Sequence, residues 1–161
     1  SPRMYIMDAI DHRILAALQE DSALSTADLA DRVGLSPTPC WRRVRQLETA
    51  GYIRKRVALL DRDLLGVGTT VFVSIRTKTH AADWLTKFAK VVQSMPEVIE
   101  FHRMSGDIDY LMKVFVPDIP AYDAFYKRLI SAIDLSAVSS SFAMEEIKAT
   151  TTLPLTYLKQ A

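Results

Sequence analysis

The sequence has few of the residues that build disulfides, metal centres and phosphate-binding loops. Its 161 residues include one cysteine, three histidines and five glycines. A single cysteine excludes an intrachain disulfide and a zinc site built from cysteines, and it fits a reducing compartment. No apolar run approaches the roughly 18 residues that a membrane-spanning helix needs, and no secretory signal opens the sequence. We therefore expect a cytoplasmic protein without a membrane partner.

An excess of charge of one sign is also missing. The chain carries 20 Lys and Arg against 19 Asp and Glu, which gives a formal net charge of +1. The hydrophobic fraction of 49% is that of an ordinary globular protein, so composition does not set the chain apart. Net charge alone therefore gives no reason to expect nucleic acid as a partner. The basic residues are clustered, however, at 42–45 and at 54–56.

Residues 36–48 predict a helix with one basic face. Ser36 suits the N-cap, and Pro37 suits the first helical position because its missing N–H costs nothing there. The side expected to face inward is apolar at helical spacing: Cys40, Val44 and Leu47. The other side is polar and basic: Thr38, Arg42, Arg45 and Gln46, with Arg43 and Trp41 at its borders. Such a helix suits a DNA major groove, although exposed arginines more often form a merely solvated surface.

Two helices and a glycine turn precede this basic helix. Residues 8–20 carry apolar side chains at four-residue spacing, and Ser25 is expected to cap a second helix that ends at Gly34. Two helices, a short turn and a basic third helix form the helix-turn-helix pattern. Residues 52–60 then alternate like a strand, which predicts a wing with basic residues near the phosphates: Arg54, Lys55 and Arg56. We therefore predict a winged helix-turn-helix domain over residues 8–60.

The second half of the chain predicts a sheet covered by helices. Strands are expected at 69–77, 97–104, 110–116 and 138–150, and helices at 81–94 and 120–133. The order β-α-β-β-α-β is the ferredoxin-like plan, which we assign to residues 69–155, so the fold class is α+β. Residues 61–68, which contain Gly66 and Gly68, are interpreted as a hinge. A sheet with helices on one face would bury its other face by dimerisation.

Short segments in both halves match one known family. They are LSPTPC at 35–40, RVRQLE at 43–48, GYI at 51–53, SGDIDYL at 105–111 and MEEIK at 144–148. On these segments the sequence resembles the Lrp/AsnC, or feast/famine, family of prokaryotic transcriptional regulators, from about residue 8 to residue 155. Further segments resemble a cysteine-responsive subgroup: TPCW at 38–41, VALLD at 57–61, DAFYKRL at 123–129 and SSFAME at 140–145.

The resemblance implies a sequence-specific DNA-binding regulator in the prokaryotic cytoplasm, associated with the nucleoid. Its partners would be double-stranded DNA, a small amino acid and further copies of the chain, with dimers that assemble into octamers or similar particles. The amino acid, cysteine in the subgroup, would bind between dimers and favour one assembly through its differential affinity. Neither a cofactor nor a metal ion is expected beyond this effector.

The basic helix supplies the predicted DNA contacts. We expect three side chains to reach base edges: Thr38, Arg42 and Arg45. We expect a second group to hold phosphates and to set the orientation of the helix: Ser36, Arg43, Gln46, Arg54 and Lys55, together with Arg56.

The loop at residues 105–109 supplies the predicted effector site. A free amino acid needs an acceptor for its ammonium group, which Asp107 or Asp109 offers, and Gly106 lets a ligand approach the backbone. The alternative is a plain hairpin turn whose carboxylates cap local amides; the family resemblance favours the site. The predicted set is Ser105, Gly106, Asp107, Asp109 and Tyr110, with Ser139 and Ser141 from a neighbouring subunit. These two serines share one face of a strand, which equally suits a polar edge strand.

Other interpretations stay open. Cys40 lies at a helix N-terminus, where a thiol pKa falls and redox sensing is possible, but its place on the apolar face favours a buried hydrophobe. Ferredoxin-like domains also host enzymes; we find no phosphate loop, nucleophile–base pair or zinc spacing, and therefore predict no catalytic residues. The helix-turn-helix could serve protein association alone, or the protein could organise DNA without any effector.

Overall fold

The structure is a computed structural model that describes residues 5–159. It contains the helices α1 (Ala9–Glu20), α2 (Thr26–Val33), α3 (Pro37–Thr49), α4 (Ala82–Gln93) and α5 (Ile119–Ala132). Its strands are β1 (Thr69–Arg76), β2 (Val98–Arg103), β3 (Tyr110–Val116) and β4 (Ala137–Phe142). The chain divides into two compact units, one formed by residues 5–58 with 148–159 and the other by residues 59–147. Over residues 5–159, each helix is too short or too polar to cross a lipid bilayer.

Local capping signals start and end the helices of the first unit. Asp8 caps α1, because its carboxylate accepts the Asp11 amide at 2.9 Å while the Asp11 carboxylate accepts the Asp8 amide at 3.3 Å. Ser25 accepts the Asp28 amide at the start of α2, as predicted. Gly34 ends α2 with a φ of +76°, a left-handed conformation that suits glycine.

The core of the first unit is the apolar side of three packed helices. The inward faces predicted for α2 and α3 are confirmed, with buried side chains at Leu29, Ala30, Val33, Cys40, Val44 and Leu47. Cys40 has no exposed surface, and burial raises the pKa of its thiol because the thiolate would be poorly solvated. The structure therefore favours a small buried hydrophobe over a reactive thiolate at this position.

The strand predicted at 52–60 does not form. The chain turns after α3 at Gly51, and residues 54–60 of the described structure have no regular secondary structure. Val57 and Leu59 are 58% and 72% exposed, so the alternation in the sequence does not correspond to burial within the chain. Alternation predicts a strand only where a sheet offers both a partner and a face to cover.

The last predicted strand is also shorter than expected, because its partner strand ends. β4 pairs with β1 as far as Phe142 opposite Val71, and β1 begins only two residues before Val71. The following chain instead packs on the first unit, where the Gln19 side chain donates to the Leu153 carbonyl (3.0 Å) and accepts from its amide (2.8 Å). Leu158 packs against the same core. The unit limits therefore differ from the predicted 8–60 and 69–155.

The second unit has the predicted βαββαβ arrangement. Its four strands are antiparallel in the order β2-β3-β1-β4. One face packs against α4 and α5 through buried side chains that alternate along the central strands: Val71, Val73, Ile75, Tyr110, Met112, Val114 and Val116. The opposite face, called the open face below, carries the residues between them: Phe72, Ser74, Leu111, Lys113 and Phe115.

Residues 61–68, interpreted from the sequence as a hinge, form a hydrogen-bonded turn. The Val67 amide donates to the Arg62 carbonyl at 2.9 Å, and the Leu64 amide donates to the Asp61 carboxylate at 3.1 Å. A Cβ at Gly68 would meet the Asp63 carboxylate, so a larger residue there would require that side chain to rotate away. The segment belongs to the second unit.

Candidate DNA-binding surface and effector cleft

The start of α3 leaves polar groups available for an anion. Ser36 occupies the N-cap, as predicted, but its side chain makes no capping bond. An N-cap side chain commonly accepts a hydrogen bond from the amide three residues later, which here is Pro39, and proline has no N–H. Pro37 has none either, so Thr38 carries the single amide hydrogen of the first three helical residues. Ser36 and Thr38 are exposed at a helix N-terminus, where the backbone dipoles favour a phosphate.

The outward face of α3 is exposed as the helical spacing predicted. Thr38, Arg42, Arg45 and Gln46 all have exposed side chains. The Arg45 guanidinium is 61% exposed, lies 3.5 Å from the Glu48 carboxylate and sits 5.8 Å from the centre of the Trp41 ring. Trp41 is itself 54% exposed, a large apolar surface beside the basic face.

Arg43, which the sequence predicted to contact phosphate, forms ion pairs within the protein. Its guanidinium donates to Asp8 at 2.6 Å and to Asp11 at 3.2 Å, and the Asp11 side chain is 2% exposed. The bond to Arg43 lowers the pKa of Asp8, because it stabilises the carboxylate. Burial and a hydrogen bond to Asp11 raise the pKa of Tyr5 to about 12. The border position of Arg43 therefore turns it towards the start of α1, where it has a structural role.

The basic segment after α3 is exposed, although it lies on no strand. Arg54, Lys55 and Arg56 are all exposed. Arg56 donates to Glu48 at 3.0 Å. Glu48 therefore contacts one arginine of α3 and one of the following segment.

A cleft of about 510 Å³ lies beside the loop that was predicted to bind the effector. It is lined by His80, Arg103, Met104, Ser105, Asp109 and Tyr110. Three predicted residues thus border it: Ser105, Asp109 and Tyr110. Asp107 is exposed on the same loop. Gly106 has a φ of +101°, so the turn itself requires glycine.

Asp109 ties the loop to the end of β1, because its carboxylate caps a distant amide and not a local one as the hairpin alternative proposed. One of its carboxylate oxygens accepts the Thr77 amide at 2.8 Å. Its own amide donates to the Ile75 carbonyl at 2.9 Å, and its carbonyl accepts the Met104 amide at 2.8 Å. Only the remaining carboxylate oxygen is therefore open to a ligand, which makes Asp107 the better acceptor of the two.

The Tyr110 ring belongs to the core and only borders the cleft. Tyr110 is 4% exposed, and its ring lies 5.4 to 5.8 Å from three other aromatic rings: Trp84, Phe88 and Phe101. Edge-to-face and stacked contacts of this kind stabilise a core. These aromatic side chains therefore pack in the core of the second unit.

Two side chains of the cleft, Arg103 and His80, were not predicted from the sequence. Arg103 is the last residue of β2 and lies two residues before Ser105, so its place beside the predicted loop could have been inferred from the sequence. His80 lies in the connection before α4 and reaches the cleft only because β1 and β3 are neighbours in the sheet. A permuted strand order cannot be read from local spacing.

Ser139 and Ser141 share one side of β4, as predicted, but do not reach the cleft of their own chain. They pair with Ser74 and Phe72 on the open face. β1 separates β4 from β3, a lateral distance of roughly 10 Å at the usual strand spacing. Ser140 points to the helix side instead, where it bonds the Tyr122 hydroxyl. Within residues 5–159, acidic, histidine and cysteine side chains nowhere gather in threes that could hold a metal ion.

Comparison with known proteins assigns both units. Residues 7–54 match the family described as winged helix-turn-helix DNA-binding, and residues 70–153 match the Lrp/AsnC ligand binding domain. The chain is 50% identical over 151 residues to the DNA-binding transcriptional activator DecR of Escherichia coli (strain K12), with 93% of this chain and 99% of DecR covered. It is also 50% identical over 149 residues to the glutamate uptake regulatory protein of Zymomonas mobilis, with 92% and 91% covered.

A solved structure extends the comparison to three dimensions. The complex of a transcriptional regulator from Neisseria meningitidis with L-methionine is 38% identical, has a TM-score of 0.90 and covers 95% of this chain and 99% of that one. All three relatives are named as regulators and not as enzymes, which removes the enzyme alternative. The predicted family is confirmed by matches that span both halves of the sequence: the chain belongs to the Lrp/AsnC family of DNA-binding transcriptional regulators.

Proposed function

We propose that α3 reads the DNA major groove through Thr38, Arg42 and Arg45. The observation that carries this proposal is the exposure of all three side chains opposite the buried face of the same helix. Arginine forms two parallel hydrogen bonds with guanine, and a threonine methyl group packs on thymine. Arg43 is omitted from the DNA-contacting set because Asp8 and Asp11 hold it.

We assign the phosphate contacts to the polar groups that flank this face. They are Ser36, Gln46, Arg54, Lys55 and Arg56. Contacts of this kind fix orientation without reading sequence, and they make affinity fall with salt as counterions are released.

The DNA assignment is tested by alanine substitution on the basic face. Arg42→Ala and Arg45→Ala should each weaken binding to a duplex that the wild-type protein selects from a random pool, by tenfold or more, with each arginine–guanine pair contributing about 1–3 kcal/mol. Arg13→Ala, an exposed arginine of α1, is the matched control. Unchanged affinity in both α3 variants would overturn the assignment, and would favour a helix-turn-helix that serves protein association.

The cleft in the second unit is the proposed site of an amino-acid effector. Arg103, which lines the cleft, supplies a positive charge for the effector carboxylate. Asp107, which is exposed on the adjoining loop, supplies a negative charge for its ammonium group. Ser105 and the free oxygen of Asp109 complete the polar lining on this chain. Ser139 and Ser141 of a neighbouring subunit are proposed to contribute their hydroxyl groups to the same site. Cysteine is the first candidate effector, and the L-methionine complex of the Neisseria meningitidis regulator makes methionine the second.

Dimerisation through the open face is proposed as the first step of assembly. Phe72 is 38% exposed there, and Leu111 and Phe115 are half-buried. Burying these side chains against a second copy removes apolar surface from water, and a two-fold axis makes the face complementary to itself. Paired dimers would then form the octamer or a similar particle.

Thermal melting against each of the twenty amino acids tests the effector proposal. A ligand that binds only the folded protein raises its stability by RT ln(1 + [L]/Kd), so a millimolar effector gives a measurable shift. Cysteine under reducing conditions should raise the melting temperature, and Arg103→Ala and Asp107→Ala should remove the shift. A selective shift with another amino acid would replace cysteine and keep the site. The absence of any shift would favour a DNA-organising protein that needs no effector.

A further inference from the structure

Glu48 is the single acidic residue of α3 and lies between two arginines. One of its carboxylate oxygens is 3.5 Å from Arg45, and the other is 3.0 Å from Arg56. Its side chain is 32% exposed, so the carboxylate stays in contact with the surface that faces DNA in the proposed function. A negative charge there opposes the approach of phosphates.

The same contacts restrict the direction of the Arg45 side chain. Its guanidinium lies 3.5 Å from a carboxylate oxygen of Glu48 and 5.8 Å from the centre of the Trp41 ring. An arginine side chain that rotates freely can donate hydrogen bonds to phosphates at many positions. A guanidinium with a fixed orientation can bond only to a base that lies directly in front of it. When the N–H donors of the guanidinium are already oriented in the free protein, less conformational entropy is lost on binding that base.

We propose that Glu48 is a positioning residue that sets DNA selectivity. It orients Arg45 and Arg56, and its charge weakens binding to random sequence more than binding to the preferred sequence. Selectivity is a difference between two affinities, and a repulsive group that acts mainly on the wrong partner increases it. The inference rests on the proposed DNA contacts of Arg42 and Arg45.

The test compares Glu48→Gln with the wild-type protein on two duplexes of equal length, one random and one selected by the wild-type protein. The variant keeps the shape of the side chain and removes its charge. We expect at least threefold tighter binding to the random duplex and a smaller affinity ratio between the two duplexes. The slope of log K against log salt on the random duplex should steepen by about one, the value for one additional phosphate neutralised.

Glu20→Gln is the matched control, because Glu20 is exposed at the end of α1 and its loss changes the net charge equally. It should leave the slope and the affinity ratio unchanged. If Glu48→Gln behaves like Glu20→Gln, or weakens both duplexes equally, the proposal is wrong. Unfolding of each variant is followed alongside, since a merely structural role would lower stability without changing the salt slope.

The results for the arginine and Glu48 variants together show which of the two proposals fails. Loss of binding in Arg45→Ala together with an unchanged affinity ratio in Glu48→Gln rejects the role of Glu48 alone. Full binding in Arg42→Ala and Arg45→Ala rejects the DNA face, and the role of Glu48 with it.

Discussion

At the scale of single residues, the adjacent arginines Arg42 and Arg43 have different surroundings. Arg42 is exposed, whereas Arg43 joins α3 to the start of α1 through Asp8 and Asp11. Helical spacing places Arg42 on the outward face and Arg43 at its border, but it cannot show the ion pair, because the contact with α1 depends on how the helices pack. The exposed face of α3 was predictable from periodicity, and the ion pair beneath its border was not.

This difference predicts that two alanine substitutions will change the unfolding free energy by different amounts. Arg43→Ala leaves the buried Asp11 carboxylate without its cation, so we expect a loss of about 2 kcal/mol in unfolding free energy. Arg42→Ala should change that free energy by less than about 0.5 kcal/mol, as exposed positions usually do. Urea unfolding of the two variants measures both values. Equal stabilities would mean that the ion pair contributes nothing to the fold.

The ion pair also predicts sensitivity to acid. The pKa of Asp8 is lowered in the folded protein, so its contact with Arg43 stabilises the fold at pH values above the ordinary carboxyl pKa of about 3.9. That contribution falls as the pH drops through this value, because the unfolded chain then binds a proton that the folded chain excludes. Asp8→Asn keeps a capping acceptor but removes the charge. The difference in unfolding free energy between wild type and Asp8→Asn should therefore shrink on acidification; a constant difference from pH 6 to pH 3 would contradict this account.

At the scale of elements, local signals predicted where helices begin and end, and failed where an element needs a distant partner. Ser25 and Gly34 cap α2 through residues within one helical turn, so their capping roles could be predicted from the sequence. The strand expected at 52–60 and the extension of β4 both require a neighbouring strand that the chain does not supply. His80 lines the cleft beside residues 105–109 for a similar reason, since the order of strands brings it there.

Gln19 is predicted to hold the C-terminal segment around Leu153 against the first unit. Gln19 forms two hydrogen bonds with the Leu153 backbone, and losing both in Gln19→Ala should cost about 1 kcal/mol of the stability of the first unit. The Leu153 amide should then exchange its hydrogen faster, which hydrogen-exchange mass spectrometry detects. Gln93→Ala, at the exposed end of α4, is the control. Unchanged exchange at Leu153 would mean that the segment is not held by Gln19 in solution.

At the scale of the whole molecule, the fold leaves the open face to be covered. Phe72→Glu places a charge in the proposed dimer interface, where burial would cost several kcal/mol, so we expect monomers in analytical ultracentrifugation. Ile130→Glu is the control, because Ile130 is 43% exposed on α5, which packs on the opposite face. Assembly of Phe72→Glu to the wild-type mass would place the dimer interface elsewhere.

An amino acid bound in the second unit is proposed to change DNA binding by the first. The most direct test is the binding isotherm of a selected duplex, measured by fluorescence anisotropy with and without the amino acid that raises the melting temperature. Coupling between two sites is typically worth about 1–3 kcal/mol, so we predict a change of at least fivefold in Kd that Arg103→Ala removes. Superimposed isotherms at a saturating amino-acid concentration would contradict the account, because the two sites would then be independent.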